Sequence, residues 1–209
     1  EDFGSKGKWT YHKINENELE VYFEEKFQGH LKWDLIGHHN SMNALAAIAA
    51  AKHVGISSTK AIISLSQFKN VKKRMELLES IKEINIYDDF AHHPTAIKTT
   101  LEGLRNKIGK NRIVAIIEPK SNTMKLGKMK DDLVKSLEDA DIVFCYAKHL
   151  SWDSKKLFKN FSNTFVMTDI DKLAKQICLS SLPKDNIIFM SNGEFSGLQN
   201  KVVQMLKNE

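Results

Sequence analysis

The second half of the chain alternates strand patterns with helix patterns, and this alternation constrains the fold more than any other feature. Five consecutive apolar residues at Ile113–Ile117 are typical of an inner strand that is buried on both faces. Strand and helix patterns follow each other at residues 112–117, 128–137, 142–146, 170–179, 186–190 and 198–206. Because strands separated by helices need crossover connections, we predict an α/β, Rossmann-like three-layer domain with a mainly parallel sheet.

Residues 84–95, Ile-Asn-Ile-Tyr-Asp-Asp-Phe-Ala-His-His-Pro-Thr, begin as an alternating strand and end in acids, histidines and a proline that stops the strand. In open α/β sheets, ligands bind beyond the C-terminal ends of the strands. Thr95 is predicted to cap the helix that follows. This joint between a strand and a helix is therefore the first candidate for a functional site.

The first 68 residues have a different pattern. Two short strands are predicted at residues 9–14 and 19–27, with a turn between them. An alanine-rich helix is predicted at residues 41–53, and a second helix, capped by a Ser-Ser-Thr run, at residues 60–68. The joint before the first helix presents unsatisfied N–H groups, which favour phosphate or nucleotide contacts.

A basic linker at residues 68–74 separates the two patterns. We place a domain boundary near Lys69, which gives domains at residues 1–68 and 69–209. The second domain is predicted to open with a hairpin of residues 75–79 and 84–87.

Composition excludes several classes of protein. The 209 residues are 42% hydrophobic, which is enough for a packed core, and no apolar run is long enough to cross a bilayer. The net charge of +5 comes from lysines placed beside acids, which favours a solvated surface over a nucleic-acid groove. Cys145 and Cys178 lie in apolar patterns, so we predict two buried thiols and a cytoplasmic protein. Since the chain starts at Glu1 without a methionine, we expect it to be part of a longer protein.

Three sequence blocks, taken in their order and spacing, resemble the Mur ligases, ATP-dependent enzymes that couple amino acids or peptides to UDP-N-acetylmuramic acid. They are Gly-His-His-Asn-Ser-Met-Asn-Ala at 37–44, Tyr-Asp-Asp-Phe-Ala-His-His-Pro-Thr at 87–95, and Glu-Pro-Lys-Ser-Asn-Thr-Met-Lys at 118–125. The last block is similar to the branch of the family that adds a tripeptide. The resemblance implies that residues 1–68 are the last part of a P-loop-type central ATPase domain and that residues 69–209 are the C-terminal domain.

The resemblance also implies site residues. Asn40, Asn43, Arg74 and Asp89 match positions that contact the nucleotide, and His92 matches a residue that faces the reaction centre and the substrate. From the residues alone, Asn40 could be a helix cap and Arg74 a surface arginine. A metal site at the two adjacent histidines is a further alternative, but no third ligand has useful spacing, so no metal ligand is predicted.

The block at 118–125 is implied to bind the peptide. The matching residues are Lys120, Ser121, Asn122, Thr123 and Lys125. Lys120 stands where the family pattern has arginine, so the charge is kept but the bidentate fork is lost; a surface lysine is the alternative. A glycine-containing loop at 191–197 could approach an anion, and a helix cap with a flexible turn is equally compatible with its sequence.

The implied reaction uses ATP and Mg²⁺ with UDP-N-acetylmuramate and the murein tripeptide, and neither nucleic acid nor a membrane is a predicted partner. The chain contains no Gly-x-x-x-x-Gly-Lys-[Ser/Thr] motif. The phosphate cradle, the main metal ligands and the UDP-sugar domain are therefore expected in missing N-terminal and central domains upstream of Glu1, and the chain alone is expected to be inactive. A muramate:alanine ligase, a folylpolyglutamate synthetase-like ligase and a non-catalytic nucleotide- or peptide-binding module remain alternatives.

Overall fold

The structure, a computed structural model, describes residues 7–15, 17–148, 150–161 and 163–208. It divides into two compact units, Glu1–Asn70 and Val71–Glu209, called here the N-terminal and C-terminal units. In the described residues, no helix has both the length and the apolar character that crossing a membrane requires.

The N-terminal unit packs two helices on a small antiparallel sheet. Its elements are β1 (Trp9–Asn15), β2 (Glu18–Phe23), β3 (Lys26–Lys32), α1 (His38–His53) and α2 (Ser58–Ser66), with the strands in the order β1-β2-β3. Its core joins the two tryptophans of the sheet region to the apolar side of the alanine-rich helix. Small residues on α1 permit this close packing.

Two sequence predictions need correction in this unit. The strand predicted at 19–27 ends at Phe23, because Glu24 and Glu25 adopt positive φ angles of 47° and 64° and turn the chain into β3. Helix α1 starts at His38, three residues earlier than predicted, after Gly37 with φ 92°. That angle favours glycine, which explains the residue at this helix start.

The C-terminal unit is a three-layer α/β domain. Its elements in chain order are β4 (Glu76–Ile81), β5 (Ile84–Asp89), α3 (Pro94–Ile108), β6 (Ile113–Ile117), α4 (Asn122–Lys125), α5 (Lys130–Lys135), β7 (Ile142–Tyr146), α6 (Ser154–Leu157), β8 (Thr164–Met167), α7 (Ile170–Ser180), β9 (Asn186–Met190) and α8 (Leu198–Asn208). The strand order is β4-β5-β9-β6-β7-β8, and every pairing except β4 with β5 is parallel. The predicted α/β class and mainly parallel sheet are confirmed.

Helices cover both faces of this sheet, and β6 and β9 are buried along their whole length. One core cluster contains residues of α7 and α8, including Ile177 and Val202, and the other contains residues of α3 and α5, including Leu101 and Leu133. Continuous apolar strands are expected where both faces are covered. Cys145 and Cys178 are buried thiols, as predicted, and burial raises the pKa of Cys145 to about 12.

Several local predictions differ from the structure. Thr95 does not cap α3, because the cap position is taken by His93 and Pro94 is the first helical residue, a position that suits its fixed φ. Strand β8 and the short helices α4 and α6 were not predicted, since each has only four residues. The hairpin turn lies at Lys82 and Glu83, where both φ angles are positive.

Candidate functional site

The candidate site lies where β5, β9 and β6 end side by side. The strand register aligns Asp89 with Met190, and Met190 with Ile117. Beyond these positions the Ser191 N–H donates to the Asp89 carbonyl at 3.1 Å, and the Glu118 N–H donates to the Met190 carbonyl at 3.2 Å. Backbone hydrogen bonds thus hold the starts of three loops together, and these loops form what we call the rim.

Asp89 fastens two segments of the rim. Its carboxylate accepts the N–H of Met75 at 2.8 Å, the N–H of Ala91 at 2.7 Å and the hydroxyl of Thr100 at 3.4 Å. The residue is only 4% exposed, and burial raises its pKa despite these hydrogen bonds and the charge of Arg74. The carboxylate therefore fixes the segment before β4 against the loop after β5.

Arg74 and His92 flank the exposed ring of Phe90. The Arg74 guanidinium carbon lies 5.7 Å from the ring centroid, and the His92 ring meets Phe90 edge to face with centroids 5.2 Å apart. His92 Nδ1 is 2.9 Å from the Phe90 carbonyl oxygen. A carbonyl can only accept, so Nδ1 carries the proton and, in the neutral ring, Nε2 is left as an acceptor. The structure thus brings Arg74, Asp89 and His92 onto one rim.

Asp88 and His93, the neighbours of Asp89 and His92 in sequence, have different surroundings. Asp88 is 6% exposed and accepts a hydrogen bond at 3.3 Å from the Gln199 side chain on α8. Burial raises the pKa of Asp88, while the Gln199 hydrogen bond and the charge of Lys73 oppose that shift. His93 occupies the cap position of α3, without a side-chain capping bond.

The predicted peptide-binding residues lie on and just before α4. Ser121 caps this helix by accepting the Met124 N–H at 3.4 Å, and its hydroxyl is 3.3 Å from that of Thr123. The side chains of Asn122 and Thr123 are exposed and Lys125 is half-buried. The Ser121 hydroxyl therefore has a structural partner already, whereas Asn122 and Thr123 face solvent.

A second buried acid supports the rim from below. Glu118, 4% exposed, accepts a 2.6 Å hydrogen bond from the hydroxyl of Ser191, which is 1% exposed. The same hydroxyl accepts the Gly193 N–H at 3.0 Å, and the Gly193 carbonyl accepts the Lys73 ammonium at 2.5 Å. Sequence reasoning placed the block beginning at Glu118 and the loop beginning at Ser191 near the rim, but it gave no role to Glu118, Ser191 or Lys73. The only signal was the glycine content of the 191–197 loop, since 120 residues separate Lys73 from Gly193.

The predicted asparagines belong to the N-terminal unit, at the start of α1. The Asn40 amide donates to the Ile36 carbonyl at 2.8 Å, and the Asn43 amide donates to the Asn40 side-chain oxygen at 3.4 Å. Asn40 is not the helix cap, because Gly37 holds that position. The pair is hydrogen-bonded to each other, and Asn43 is exposed.

The exposed chemistry of the rim comes from Arg74 and Phe90. The described residues contain no group of three or more His, Cys, Asp or Glu side chains placed to hold a metal, so no metal ligand is assigned to them. An exposed arginine beside an exposed aromatic ring, in contrast, offers a cation for a phosphate and a face for a base.

Comparison with known proteins identifies the family. Residues 73–193 match the domain family described as "Mur ligase, glutamate ligase domain". The UDP-N-acetylmuramate:L-alanyl-gamma-D-glutamyl-meso-2,6-diaminoheptandioate ligase of Escherichia coli strain K12 is 41% identical over 208 residues, covering 97% of this chain and 46% of that protein. The chain thus spans about half the length of this relative.

Two solved structures agree with this result. A murein peptide ligase from Psychrobacter arcticus 273-4 is 37% identical, with a TM-score of 0.72, over 98% of this chain and 45% of that one. A single domain of a related ligase from Haemophilus ducreyi 35000HP is 37% identical, with a TM-score of 0.56, over 64% of this chain and 99% of that domain. On the family match, the sequence identities and the shared fold, the chain belongs to the Mur ligase family.

Proposed function

We propose that this chain is the C-terminal part of an ATP-dependent ligase that joins L-alanyl-γ-D-glutamyl-meso-diaminopimelate to UDP-N-acetylmuramate in peptidoglycan recycling. The observation that carries the proposal is the 41% identity over 97% of the chain to an E. coli enzyme named for this reaction. Residues 1–68 would be the last part of the central ATP-binding domain, and residues 69–209 the C-terminal domain. Because the reaction consumes ATP, we place it in the cytoplasm.

The proposed reaction has two steps. The lactyl carboxylate of UDP-N-acetylmuramate takes the γ-phosphoryl group of ATP, which leaves as ADP. The tripeptide amine then attacks the acyl phosphate, forms the amide bond, and releases phosphate and a proton. Mg²⁺ would neutralise charge on the phosphoryl oxygens. Among the residues that the structure describes, no group of three or more His, Cys, Asp or Glu side chains is placed to hold this ion.

The rim residues receive distinct roles in this scheme. Arg74 binds the nucleotide, and Asp89 holds the backbone beside Arg74 and His92 through its hydrogen bonds to the Met75 and Ala91 N–H groups. His92, with its proton held on Nδ1 by the Phe90 carbonyl, presents Nε2 to accept a proton from the attacking amine. Asn40 and Asn43 are proposed nucleotide contacts of the N-terminal unit.

The peptide is assigned to the loop that carries Lys120, Ser121, Asn122, Thr123 and Lys125. Two exposed polar side chains and two lysines offer hydrogen-bond donors and positive charge to a substrate rich in carboxylates. Positioning the amine against the acyl phosphate is the main contribution that such a loop can make to rate.

A chimera tests the proposal directly. The aligned C-terminal 46% of the E. coli relative would be replaced by this chain, and ADP and ligated product would be measured with ATP, Mg²⁺, UDP-N-acetylmuramate and either the tripeptide or L-alanine. We expect ATP-dependent ligation of the tripeptide in preference to L-alanine, and its loss in a chimera carrying His92→Ala.

The other outcomes separate the alternatives. Preference for L-alanine would assign the chain to a muramate:alanine ligase. A folded chimera that binds ATP and both substrates and yet releases neither ADP nor product would support a non-catalytic binding module and overturn the ligase.

A further inference from the structure

We infer that Lys73 and Gly193 form, together with Lys120, a two-ammonium subsite that grips a carboxylate of the incoming peptide. This inference rests on the proposed function and deepens it, because it names Lys73 and Gly193 as specificity-determining residues. Neither residue belongs to the loop at 118–125 to which the peptide was assigned.

Both ammonium groups lie beside Gly193. The Lys73 Nζ donates to the Gly193 carbonyl at 2.5 Å. The Lys120 Nζ lies 2.9 Å from the position that a Cβ atom on Gly193 would occupy. A Cβ atom at 193 would require the flexible end of Lys120 to shift, so glycine leaves room for the Lys120 ammonium beside the residue that Lys73 contacts.

Gly193 itself is held in place by the buried support of the rim. Its N–H donates to the Ser191 hydroxyl at 3.0 Å, and that hydroxyl donates to Glu118 at 2.6 Å. Since Glu118 and Ser191 are almost fully buried, this chain of hydrogen bonds fixes the glycine relative to the sheet. The glycine that both lysines approach is therefore a preorganised point of the rim.

The positive charge at this point is not neutralised by ion pairs. Among the described residues, neither Lys73 nor Lys120 has a carboxylate within salt-bridge distance. Three acids of the rim have other hydrogen-bond partners: Glu118 accepts from Ser191, and Glu76 accepts the backbone N–H of Lys73 at 2.8 Å. Asp88 interacts electrostatically with Lys73 but accepts its hydrogen bond from Gln199. Each ammonium has three donors, and Lys73 uses one on Gly193, so donors remain for a ligand.

Two ammonium groups can replace one guanidinium. An arginine binds a carboxylate through two parallel N–H bonds, whereas a single lysine provides one point of charge. The two lysines beside Gly193 can each donate to one carboxylate oxygen and so restore a two-point contact. Arg74, the neighbour of Lys73 in sequence, lies instead over Phe90. Arg74 and Lys73 are adjacent in sequence but contact different parts of the rim, Phe90 and Gly193. Because Arg74 is assigned to the nucleotide, we assign the group at Gly193 to a peptide carboxylate and not to an ATP phosphate.

Binding to the full 209-residue chain tests the subsite without requiring catalysis. The ¹⁵N-labelled chain would be titrated with the tripeptide, with the same peptide amidated at its carboxylates, and with ATP, while the Gly193 amide signal is followed by NMR. We expect the tripeptide to shift this signal, and Lys73→Met to weaken its binding by about fivefold to tenfold. The amidated peptide should bind more weakly and should be insensitive to Lys73→Met.

Three variants make the test specific. Lys72→Met, at an exposed neighbouring lysine, is the matched control and should leave the dissociation constant unchanged. Gly193→Ala keeps both charges but forces the Lys120 ammonium away, so it should weaken tripeptide binding as Lys120→Met does. Lys120→Arg places a bidentate guanidinium on one side chain. In that variant, Lys73→Met should therefore weaken tripeptide binding by a smaller factor.

The inference is overturned if Lys73→Met and Gly193→Ala leave tripeptide affinity within twofold of the original, or if they weaken the amidated peptide equally. It is also overturned if ATP, and not the tripeptide, shifts Gly193 and loses affinity in Lys73→Met. These outcomes are independent of the chimera, because an inactive chimera with intact, Lys73-dependent tripeptide binding would refute the ligase and keep the subsite.

Discussion

Replacing Asp89 with alanine should destabilise the C-terminal unit by about 2 kcal/mol. The change leaves the N–H of Ala91, which is 2% exposed, without its acceptor, and an unsatisfied buried donor costs about 1–3 kcal/mol. The Met75 N–H is half-buried, so water can replace part of its hydrogen bond. Burial raises the pKa of Asp89, so removing this charge returns some desolvation energy. The unsatisfied Ala91 N–H costs more than the returned desolvation energy, so the variant should lose stability.

Urea unfolding followed by ¹H–¹⁵N NMR measures this loss separately for each unit. Signals of the N-terminal unit serve as an internal control and should keep their midpoint, and Asp131→Ala, at an exposed acid, should change stability by less than about 0.5 kcal/mol. Asp89→Asn keeps one acceptor, so its free energy of unfolding should lie between that of Asp89→Ala and that of the unmodified chain. If Asp89→Ala unfolds within 0.5 kcal/mol of the unmodified chain, the carboxylate does not fasten the rim.

Other consequences can be measured with the same proteins. In the active chimera, His92→Ala should lower kcat by about 10²- to 10⁴-fold without changing the melting temperature, and an unchanged kcat would make His92 structural. Phe90→Ala, which removes the ring between Arg74 and His92, should raise KM for ATP and lower kcat together, whereas Phe90→Tyr should change neither by more than about twofold. Burial raises the pKa of Asp88 above its ordinary value of 3.8. The protonated carboxyl group therefore stabilises the fold fully below pH 3.8, and this stabilisation is lost as pH rises through the raised pKa. Asp88→Asn should therefore flatten the fall in melting temperature from about pH 4 to pH 7, and an unchanged slope would contradict this. The 209-residue chain alone should release no ADP with all substrates present, since the proposal puts the phosphate-binding loop outside it; measurable turnover would refute that division.

The sheet of the C-terminal unit could be predicted because its strands are strongly patterned. Ile113–Ile117 and Asn186–Met190 are nearly continuous apolar runs, and only a strand covered on both faces needs such a composition. Polar residues directly after these strands therefore had to meet at one edge. That reasoning placed Asp89 and the block beginning at Glu118 on a common rim, which the structure shows.

The contacts that shape the rim could not be predicted, because they join residues far apart in sequence. Lys73 precedes β4 and Gly193 follows β9, 120 residues later, and neither residue belongs to a periodic pattern. Strand β8 is four residues long and half-buried, so it lacks the apolar run that marked its neighbours. The internal partners of Asp89 also escaped prediction, since one of them, Met75, reaches it across the hairpin.

Acids and bases are divided between two levels of the rim, and this division explains how a site for anions can contain so many carboxyl groups. Asp88, Asp89 and Glu118 are all below the surface, where each accepts internal hydrogen bonds. Arg74 and Lys120 are exposed above them. The buried acids fix backbone geometry, whereas ligands meet the bases first. A surface of that sign attracts ATP, a UDP-sugar and a peptide with free carboxylates alike, so the net charge of +5 suits the proposed substrates without implying a nucleic-acid partner.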